Sequence, residues 1–302
     1  LMLTKVQKQL ILKLFSMFVV VRGFNLAIIV VAQYITAIFI MSPNQSLLEV
    51  LLDRSLLVLI AASAVSIASG YIINNFYDSE KDSINRPQQV NVEKMVSQNT
   101  KLMLYFILNI LVIIAASYVS FRAVLFFSVY IFAIWLYSHK IKKRPLIGNL
   151  TSAILTITPF FAIFLYYKNF SSLIFVFGFY LFLILSMREL VKDLQNLKGD
   201  LLQNYKTIPV VYGEKYAKFM IIILVFCNVS VTVFLLKSYA LELMDYFFYS
   251  SISLLFVILL MLKKAQSRQQ YSHIHMLLKL LVLLGVFSIV LLNPSLILSK
   301  IL

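Results

Sequence analysis

The sequence predicts an all-α membrane protein with about nine transmembrane helices around a central cavity. Hydrophobic residues make up 61% of the 302 positions, and the mean hydropathy is +0.92. Soluble domains have an apolar content of about 45–50%. The apolar residues also form long runs separated by short polar loops, and the positive charge is concentrated in alternate loops. Together these observations indicate that lipid is the solvent for most of the chain.

Runs of apolar residues long enough to cross about 30 Å of hydrocarbon occur throughout the chain. We predict nine spans, near 16–40, 47–74, 101–119, 121–137, 146–167, 171–191, 216–236, 244–262 and 276–298. The boundaries after the third and fifth runs are weak, so eight or ten spans are alternatives. Residues 16–302 are expected to form a single transmembrane domain.

The segment 1–15 precedes the first span. It carries Lys5, Lys8 and Lys13 among leucines, so it is too short and too charged to cross a bilayer. We expect an interfacial amphipathic segment, with a frayed tail as the alternative. No small-residue cleavage site follows the first apolar run, which argues against a signal peptide.

The distribution of charge predicts the topology. Most of the 27 Lys and Arg residues lie in the N-terminal segment and in every second loop, and such residues stay on the cytoplasmic side of a membrane. We therefore expect a cytosolic N-terminus in an inner or cytoplasmic membrane. The net charge of +15 is spread over short loops, so we attribute it to lipid headgroups and phosphorylated substrates and expect no nucleic-acid partner. The single cysteine, Cys227, excludes an intrachain disulfide.

The first polar segment follows the second apolar run, at 74–87. Asn74, Asp78 and Asp82 are spaced four residues apart, so on a continuous helix each is rotated only about 40° from the last. Their oxygens would share one face, and hard divalent cations prefer oxygen ligands. The spacing predicts a metal site at a membrane surface.

The second polar segment, at 188–200, carries three further acids, Glu189, Asp193 and Asp200, and a fourth polar candidate, Asn196. An acid near bilayer depth costs on the order of 2.5–3.5 kcal/mol, so it requires water, metal or basic groups. Mg²⁺ binds proteins through one or two carboxylates plus substrate phosphates. Two acidic helix ends with basic neighbours would suit Mg²⁺ and a diphosphate.

Further candidates surround these segments. Four basic side chains suit phosphate oxygens: Arg86, Lys142, Lys143 and Lys206. The alternative is that they only reflect the excess of Lys and Arg in cytoplasmic loops. Tyr137 is a candidate contact for a diphosphate or an acceptor, or else an interfacial aromatic residue. Arg22 and Asn25 lie at the start of the first span, where a polar group inside an apolar run is costly and often functional.

The chain resembles the UbiA superfamily of intramembrane prenyltransferases. The motif Asn-x-x-x-Asp-x-x-x-Asp is met by Asn74, Asp78 and Asp82. Other matching segments are Val21 to Asn25, Ile84 to Pro87, Tyr137-Ser138, Lys142 to Pro145, Gly148-Asn149, Arg188-Glu189, Lys192-Asp193, Gly199-Asp200 and Lys206 to Val210. The sequences of these motifs most resemble those of archaeal-type geranylgeranylglyceryl phosphate prenyltransferases. The resemblance implies a UbiA-like fold, Mg²⁺ as cofactor, and a polyprenyl diphosphate as donor.

By this resemblance the metal ligands are Asn74, Asp78, Asp82, Asp193, Asn196 and Asp200, of which Asp78, Asp82, Asp193 and Asp200 are the catalytic carboxylates. Two amides depart from the family pattern: Asn75 and Asn196 stand where acids are common. An amide can ligate a metal through its oxygen but brings no charge. Leu201 and Asn204 replace what are commonly a basic residue and a glycine.

We predict Mg²⁺-dependent transfer of a polyprenyl group from its diphosphate to a hydrophobic, lipid-like or aromatic acceptor. Aromatic side chains at lipid depth would shield an allylic cation from water. A membrane terpene cyclase is one alternative, in which the cation is quenched within its own chain. A lipid-binding or assembly subunit without turnover is another, motivated by Asn75 and Asn196.

Overall fold

The computed structural model of the protein describes residues 4–292. Within that range every regular element is a helix. Twelve are α-helices: α1 Lys5–Val20, α2 Gly23–Thr36, α3 Leu47–Leu51, α4 Arg54–Asn85, α5 Pro87–Glu93, α6 Gln98–Val119, α7 Phe121–His139, α8 Ile147–Tyr167, α9 Ser172–Leu202, α10 Ile208–Ser238, α11 Asp245–Lys264 and α12 Arg268–Ser288.

Nine helical segments in the described part of the chain are long and apolar enough to cross a membrane. They are Gly23–Met41, Arg54–Asn85, Gln98–Val119, Phe121–Lys143, Ile147–Tyr167, Ser172–Leu202, Ile208–Ser238, Glu242–Lys264 and Arg268–Leu292. The predicted fold class and number of spans are therefore confirmed, and the protein is an integral membrane protein. The predicted end of the last span, at 298, lies outside the described residues.

The first predicted span starts too early. Arg22 has a φ of 52°, which ends α1 and redirects the chain into α2. The membrane-length segment consequently begins at Gly23 rather than at residue 16. Helix α1 has a Thr4 capping box at its start and exposes large apolar side chains, including Leu14 and Phe15. This exposure is compatible with the predicted interfacial role, which stays a prediction, and residues 1–3 of that segment lie outside the described range.

The second span starts later and ends later than predicted. Asp53 accepts the backbone N–H groups of Ser55 and Leu56 at 2.9 and 3.2 Å, and so caps α4 at Arg54. Residues 47–51 form the separate short helix α3. At its other end α4 continues through the polar residues to Asn85, so the first motif lies on the membrane helix itself. Helix α9 likewise extends through the second motif to Leu202.

The chain divides into two compact units, which are described separately below. Unit 1 comprises Leu1–Val31 and Leu57–Lys140, and unit 2 comprises Ala32–Leu56 and Ile141–Leu302. Unit 1 contains nearly all of α4 with α5, α6 and α7. Unit 2 contains α8 to α12 and has a core that includes Tyr180, whose hydroxyl lies 2.6 Å from Ser251 Oγ. Each predicted motif therefore belongs to a different unit.

Candidate functional site

The first motif occupies one face of α4. Asn74, Asp78 and Asp82 follow each other at four-residue intervals on this continuous helix, as the sequence predicts. Asp78 and Asp82 are each 5% exposed, and Asn74 is half-buried. Buried carboxylates require compensation by cations or hydrogen bonds. The face therefore combines two buried anions with an amide at ligand spacing.

Basic side chains lie next to both carboxylates. Arg86 Nη2 donates to Asp82 Oδ2, one turn along the chain. Lys81 Nζ lies 3.7 Å from Asp78 Oδ1. Arg86, predicted as a phosphate ligand, thus contacts a motif carboxylate. Its guanidinium is planar and has further N–H donors for an anionic ligand.

The predicted residues Arg22 and Asn25 lie at the junction of α1 and α2. The Arg22 guanidinium carbon is 4.9 Å from the centre of the Tyr71 ring. Tyr71 precedes Asn74 by three residues on α4, so it shares the face of the motif. Asn25 is half-buried, and its backbone N–H donates to Arg22 O at 2.7 Å. The structure therefore places Arg22 beside the aromatic residue that leads into the motif.

Tyr137 lies on α7 and is half-buried. Two residues later on the same helix, the His139 ring lies 5.2 Å from the Tyr77 ring of α4, measured between centroids. Tyr77 precedes Asp78 directly. The end of α7 in unit 1 thus packs against the motif-bearing part of α4. Tyr137 as a substrate contact stays a prediction.

Asn75, the first departure from the family pattern, is buried in a hydrogen-bonded group. Its Nδ2 donates to Glu93 Oε2 at 2.6 Å, and its Oδ1 accepts from Lys101 Nζ at 2.8 Å. Asn75 thus bonds to both a carboxylate and an ammonium group within unit 1. Neither Glu93 nor Lys101 was predicted as a site residue, because each lies many positions away along the chain.

The second motif lies on α9, in unit 2. Asp193, Asn196 and Asp200 recur at intervals of three and four residues, so they share one face of the helix. Asp193 Oδ2 accepts from Asn149 Nδ2 of α8 at 2.7 Å. This bond orients one oxygen of the Asp193 carboxylate. The donor, Asn149, is itself buried near the start of α8.

Asp200 is the most deeply buried of the candidate ligands, with 1% of its surface exposed. Thr207 Oγ1 donates to its Oδ2 at 3.4 Å, and the Tyr205 N–H donates to its backbone carbonyl at 2.9 Å. The turn between them passes through Asn204, whose φ is 54°. The loop after α9 thus folds back onto the last acid of the motif.

The predicted basic residues of unit 2 come together around this loop. The Lys206 N–H donates to Lys143 O at 3.0 Å, and Lys143 Nζ lies 5.1 Å from the centre of the Tyr205 ring. Lys142 is buried, whereas Lys143 and Lys206 expose their side chains. Lys142 and Lys143 belong to a single 3₁₀ turn at Ile141–Lys143. The structure therefore gathers three cations next to the loop that holds Asp200.

Sequence reasoning missed two residues that contact the motif acids, Asn149 and Thr207. Both stand in segments that resemble the family, so the resemblance was the available signal. Within residues 4–292 no group of three or more His, Cys, Asp or Glu side chains is placed to hold a metal ion. The donor set still fits Mg²⁺, which needs only one or two protein carboxylates beside substrate phosphates and water.

Comparison with known proteins agrees with the motifs. The model of the UbiA prenyltransferase family matches residues 30–283. The digeranylgeranylglyceryl phosphate synthase of Thermococcus sibiricus is 35% identical over 145 residues, which cover 48% of this chain and 51% of the relative. That of Methanobrevibacter smithii is 27% identical over 217 residues, which cover 68% and 72%. The match thus spans about half the length of the first of these relatives.

Solved structures share the fold. A structure described as digeranylgeranylglyceryl phosphate synthase superposes with a TM-score of 0.68 at 20% identity, covering 92% of this chain and 97% of that one. A UbiA homologue from Archaeoglobus fulgidus bound to GPP and Mg²⁺ superposes with a TM-score of 0.67 at 13% identity, covering 91% and 99%. At these sequence identities the superpositions show a shared fold only.

Proposed function

Because the chain belongs to the UbiA prenyltransferase family, we propose that it is an intramembrane prenyltransferase that moves a polyprenyl group from its diphosphate to a lipid acceptor. The observation that carries this proposal is the face of α4, where Asp78 and Asp82 are buried at helical spacing with Asn74. Two carboxylates at 5% exposure are costly in a membrane protein, and a bound Mg²⁺ would add to the compensation that Arg86 and Lys81 provide.

We assign Asn74, Asp78 and Asp82, together with Asp193, Asn196 and Asp200, to Mg²⁺ ligation. When bound, Mg²⁺ neutralises the diphosphate and makes it a better leaving group. Arg86, Lys142, Lys143 and Lys206 would bind diphosphate oxygens, and Arg22, Asn25 and Tyr137 would contact the substrates. Asn149 and Thr207 orient Asp193 and Asp200 through the hydrogen bonds described above. In the reaction the bond between the prenyl carbon and the diphosphate oxygen breaks and diphosphate leaves. The prenyl carbon then bonds to a hydroxyl oxygen of the acceptor, whose proton passes to water or to the released diphosphate.

The relatives suggest the class of acceptor. Their name, digeranylgeranylglyceryl phosphate synthase, describes a glyceryl phosphate that carries two geranylgeranyl chains. We propose that this protein acts on a glyceryl phosphate lipid that already carries one prenyl chain. Its phosphate would add a negative charge to the site, for which the basic loops of the protein are suited. The alternation of basic loops further supports a cytosolic site.

Pyrophosphate release from the purified protein tests the proposal. We expect release from geranylgeranyl diphosphate that requires both Mg²⁺ and a prenylated glyceryl phosphate, with the doubly prenylated lipid as product. Asp78→Ala should reduce the rate by at least the roughly 10–100-fold seen when outer-shell partners of metals are removed. Glu80→Ala is the matched control, because this exposed carboxylate lies two positions further on the same helix, away from the motif face.

Three results would contradict the proposal. Release of a cyclic hydrocarbon without acceptor would indicate a terpene cyclase. Binding of the diphosphate with no release in any lipid mixture would indicate a subunit without turnover. Equal rates for Asp78→Ala and Glu80→Ala would remove the first motif from the reaction.

A further inference from the structure

A continuous chain of hydrogen bonds runs through unit 1 from Lys101 to Asp82. Lys101 Nζ donates to Asn75 Oδ1 at 2.8 Å, and Asn75 Nδ2 donates to Glu93 Oε2 at 2.6 Å. Gln89 Nε2 then donates to Glu93 Oε1 at 2.8 Å. Arg86 Nη1 donates to Gln89 Oε1 at 3.3 Å, and Arg86 Nη2 donates to Asp82 Oδ2. We call these six side chains the relay.

The relay is most deeply buried at its Lys101 and Glu93 end. Lys101 is 2% exposed and Glu93 is 4% exposed. A buried cation and a buried anion must be paired or hydrogen-bonded, yet these two are joined through the amide of Asn75. An amide suits this position, because its oxygen accepts from an ammonium while its nitrogen donates to a carboxylate. Asn75 is therefore the connecting group between two buried charges.

The direction of the hydrogen bonds explains why an acid does not occupy position 75 in this chain. A carboxylate there would place an acceptor 2.6 Å from Glu93 Oε2, so that two anions would face each other in a buried site. The amide at position 75 and the carboxylate at position 93 are thus a matched pair.

The other end of the relay reaches the proposed metal site. Asp82 has two carboxylate oxygens, and Arg86 engages Oδ2. Arg86 is in turn held by Gln89, and Gln89 is held by Glu93. Outer partners of this kind fix the orientation of a ligating carboxylate, and their loss typically costs 10–100-fold in metal affinity. Gln89 and Arg86 thus connect Asp82 to the buried group of Asn75, Glu93 and Lys101.

We propose that Asn75, Gln89, Glu93 and Lys101 are positioning residues that hold Arg86 and the Asp82 carboxylate in place for a divalent cation. This inference rests on the proposed function, since it takes Asp82 to be a metal ligand. None of the four touches substrate or metal in this proposal. They act through Arg86, so their substitution should alter cation affinity more than the fold.

Cation binding to the detergent-solubilised full chain tests the relay independently of catalysis. The probe is Mn²⁺, whose free fraction is measured by electron paramagnetic resonance, with pyrophosphate present. Gln89→Met breaks the middle of the relay at a half-buried position and leaves the Lys101, Asn75 and Glu93 group intact. We expect it to weaken Mn²⁺ binding by about 10-fold or more. Gln88→Met is the matched control at an exposed neighbouring position and should bind as the unmodified protein does.

A substitution cycle tests the pairing of positions 75 and 93. Asn75→Asp should weaken Mn²⁺ binding because it opposes two carboxylates, and Glu93→Gln should weaken it because Lys101 loses its nearby anion. The double variant should recover Mn²⁺ affinity to within about threefold of the unmodified protein. Its new carboxylate at position 75 accepts from Lys101, and its new amide at position 93 donates to that carboxylate. Recovery of thermal stability alone, without recovery of Mn²⁺ affinity, would reduce the relay to a purely structural role.

The outcomes separate the relay from the proposed function. Equal Mn²⁺ affinity for Gln89→Met and Gln88→Met would overturn the relay, whatever the enzymatic activity. Failure of the unmodified protein to bind Mn²⁺ would overturn it as well. If the cycle behaves as expected while no donor releases pyrophosphate, then the relay stands and the proposed transferase function fails.

Discussion

Asn204 shows how a single residue determines the path of the loop after α9. Its φ of 54° lies in the left-handed region, and the family resemblance implies a glycine at this position. Asparagine adopts this conformation more readily than other residues with a side chain, because its short amide can bond locally. Asn204 is therefore suited to this backbone conformation. It allows the chain to return Tyr205 and Thr207 to Asp200.

We predict that Asn204→Val destabilises the protein and that Asn204→Gly does not. A β-branched side chain at this φ costs on the order of 1–2 kcal/mol, which should appear as a lower thermal unfolding temperature in detergent. Gln203→Val is the control, because Gln203 has a φ of −106° in the ordinary region. Equal effects of the two valine substitutions would show that the left-handed backbone is not the cause.

Neutral side chains orient the motif acids of unit 2, whereas those of α4 lie next to Arg86 and Lys81. Asn149 donates to Asp193, Thr207 donates to Asp200, and Asn75 links Lys101 to Glu93. Neutral donors orient a carboxylate without cancelling its charge, so the anion stays available to a cation. At Asp193 and Asp200 an amide and a hydroxyl therefore orient the carboxylates without forming an ion pair.

The two motif-bearing helices are longer than a membrane requires. Helix α4 has 32 residues and α9 has 31, which correspond to about 48 and 46 Å at 1.5 Å per residue. A hydrocarbon core is about 30 Å thick. The excess length lets each helix carry its polar residues beyond the apolar run without a loop. The motifs are thereby held on rigid helix ends, where spacing and rotation are fixed.

The contact between α8 and the 3₁₀ turn at Ile141–Lys143 depends on Gly148. A Cβ atom at Gly148 would lie 3.1 Å from Ile141 O and 3.2 Å from Lys142 O. Backbone oxygens at this distance cannot be displaced without moving the turn. We therefore predict that Gly148→Ala shifts Lys142 and Lys143 and raises the KM for the diphosphate donor several-fold, with a smaller effect on kcat.

Gly178→Ala is the matched control for this prediction. Gly178 also lies within a helix, and a Cβ atom there meets no atom within 4 Å. Alanine in an open helical position should be neutral or stabilise the protein by about 0.5–1 kcal/mol. A KM that rises equally in both variants would show that helix propensity, rather than the close approach at Gly148, is responsible.

The orientation in the membrane that the loop charges predict has a direct test. In a Cys227→Ser background, single cysteines replace Asn44 and Gln266, which are both exposed and lie in loops of opposite predicted sides. We expect a membrane-impermeant thiol reagent to label Asn44→Cys in intact cells. It should label Gln266→Cys only after the membrane is permeabilised. The reverse pattern would place the motif-bearing helix ends outside the cytosol.

The sequence alone determined the membrane class, the number of spans and the shared face of Asn74, Asp78 and Asp82. These features depend on local properties, namely the hydropathy of about 20 consecutive residues and the 3.6-residue period of a helix. Helix ends were predicted less well, because Arg22 and Asp53 set them through backbone conformation and capping. Neither signal is strong in a hydropathy pattern.

Only the tertiary structure decided which residues support the acids. Lys101 lies 26 positions from Asn75, and Asn149 lies 44 positions from Asp193, yet each pair is joined by a hydrogen bond. Such pairs form when particular helix faces pack against each other. The residue pattern of one helix does not predict which face of another helix it contacts. For the same reason, the sequence identified Asn75 as a departure from its family, and the fold revealed it as the link between two buried charges.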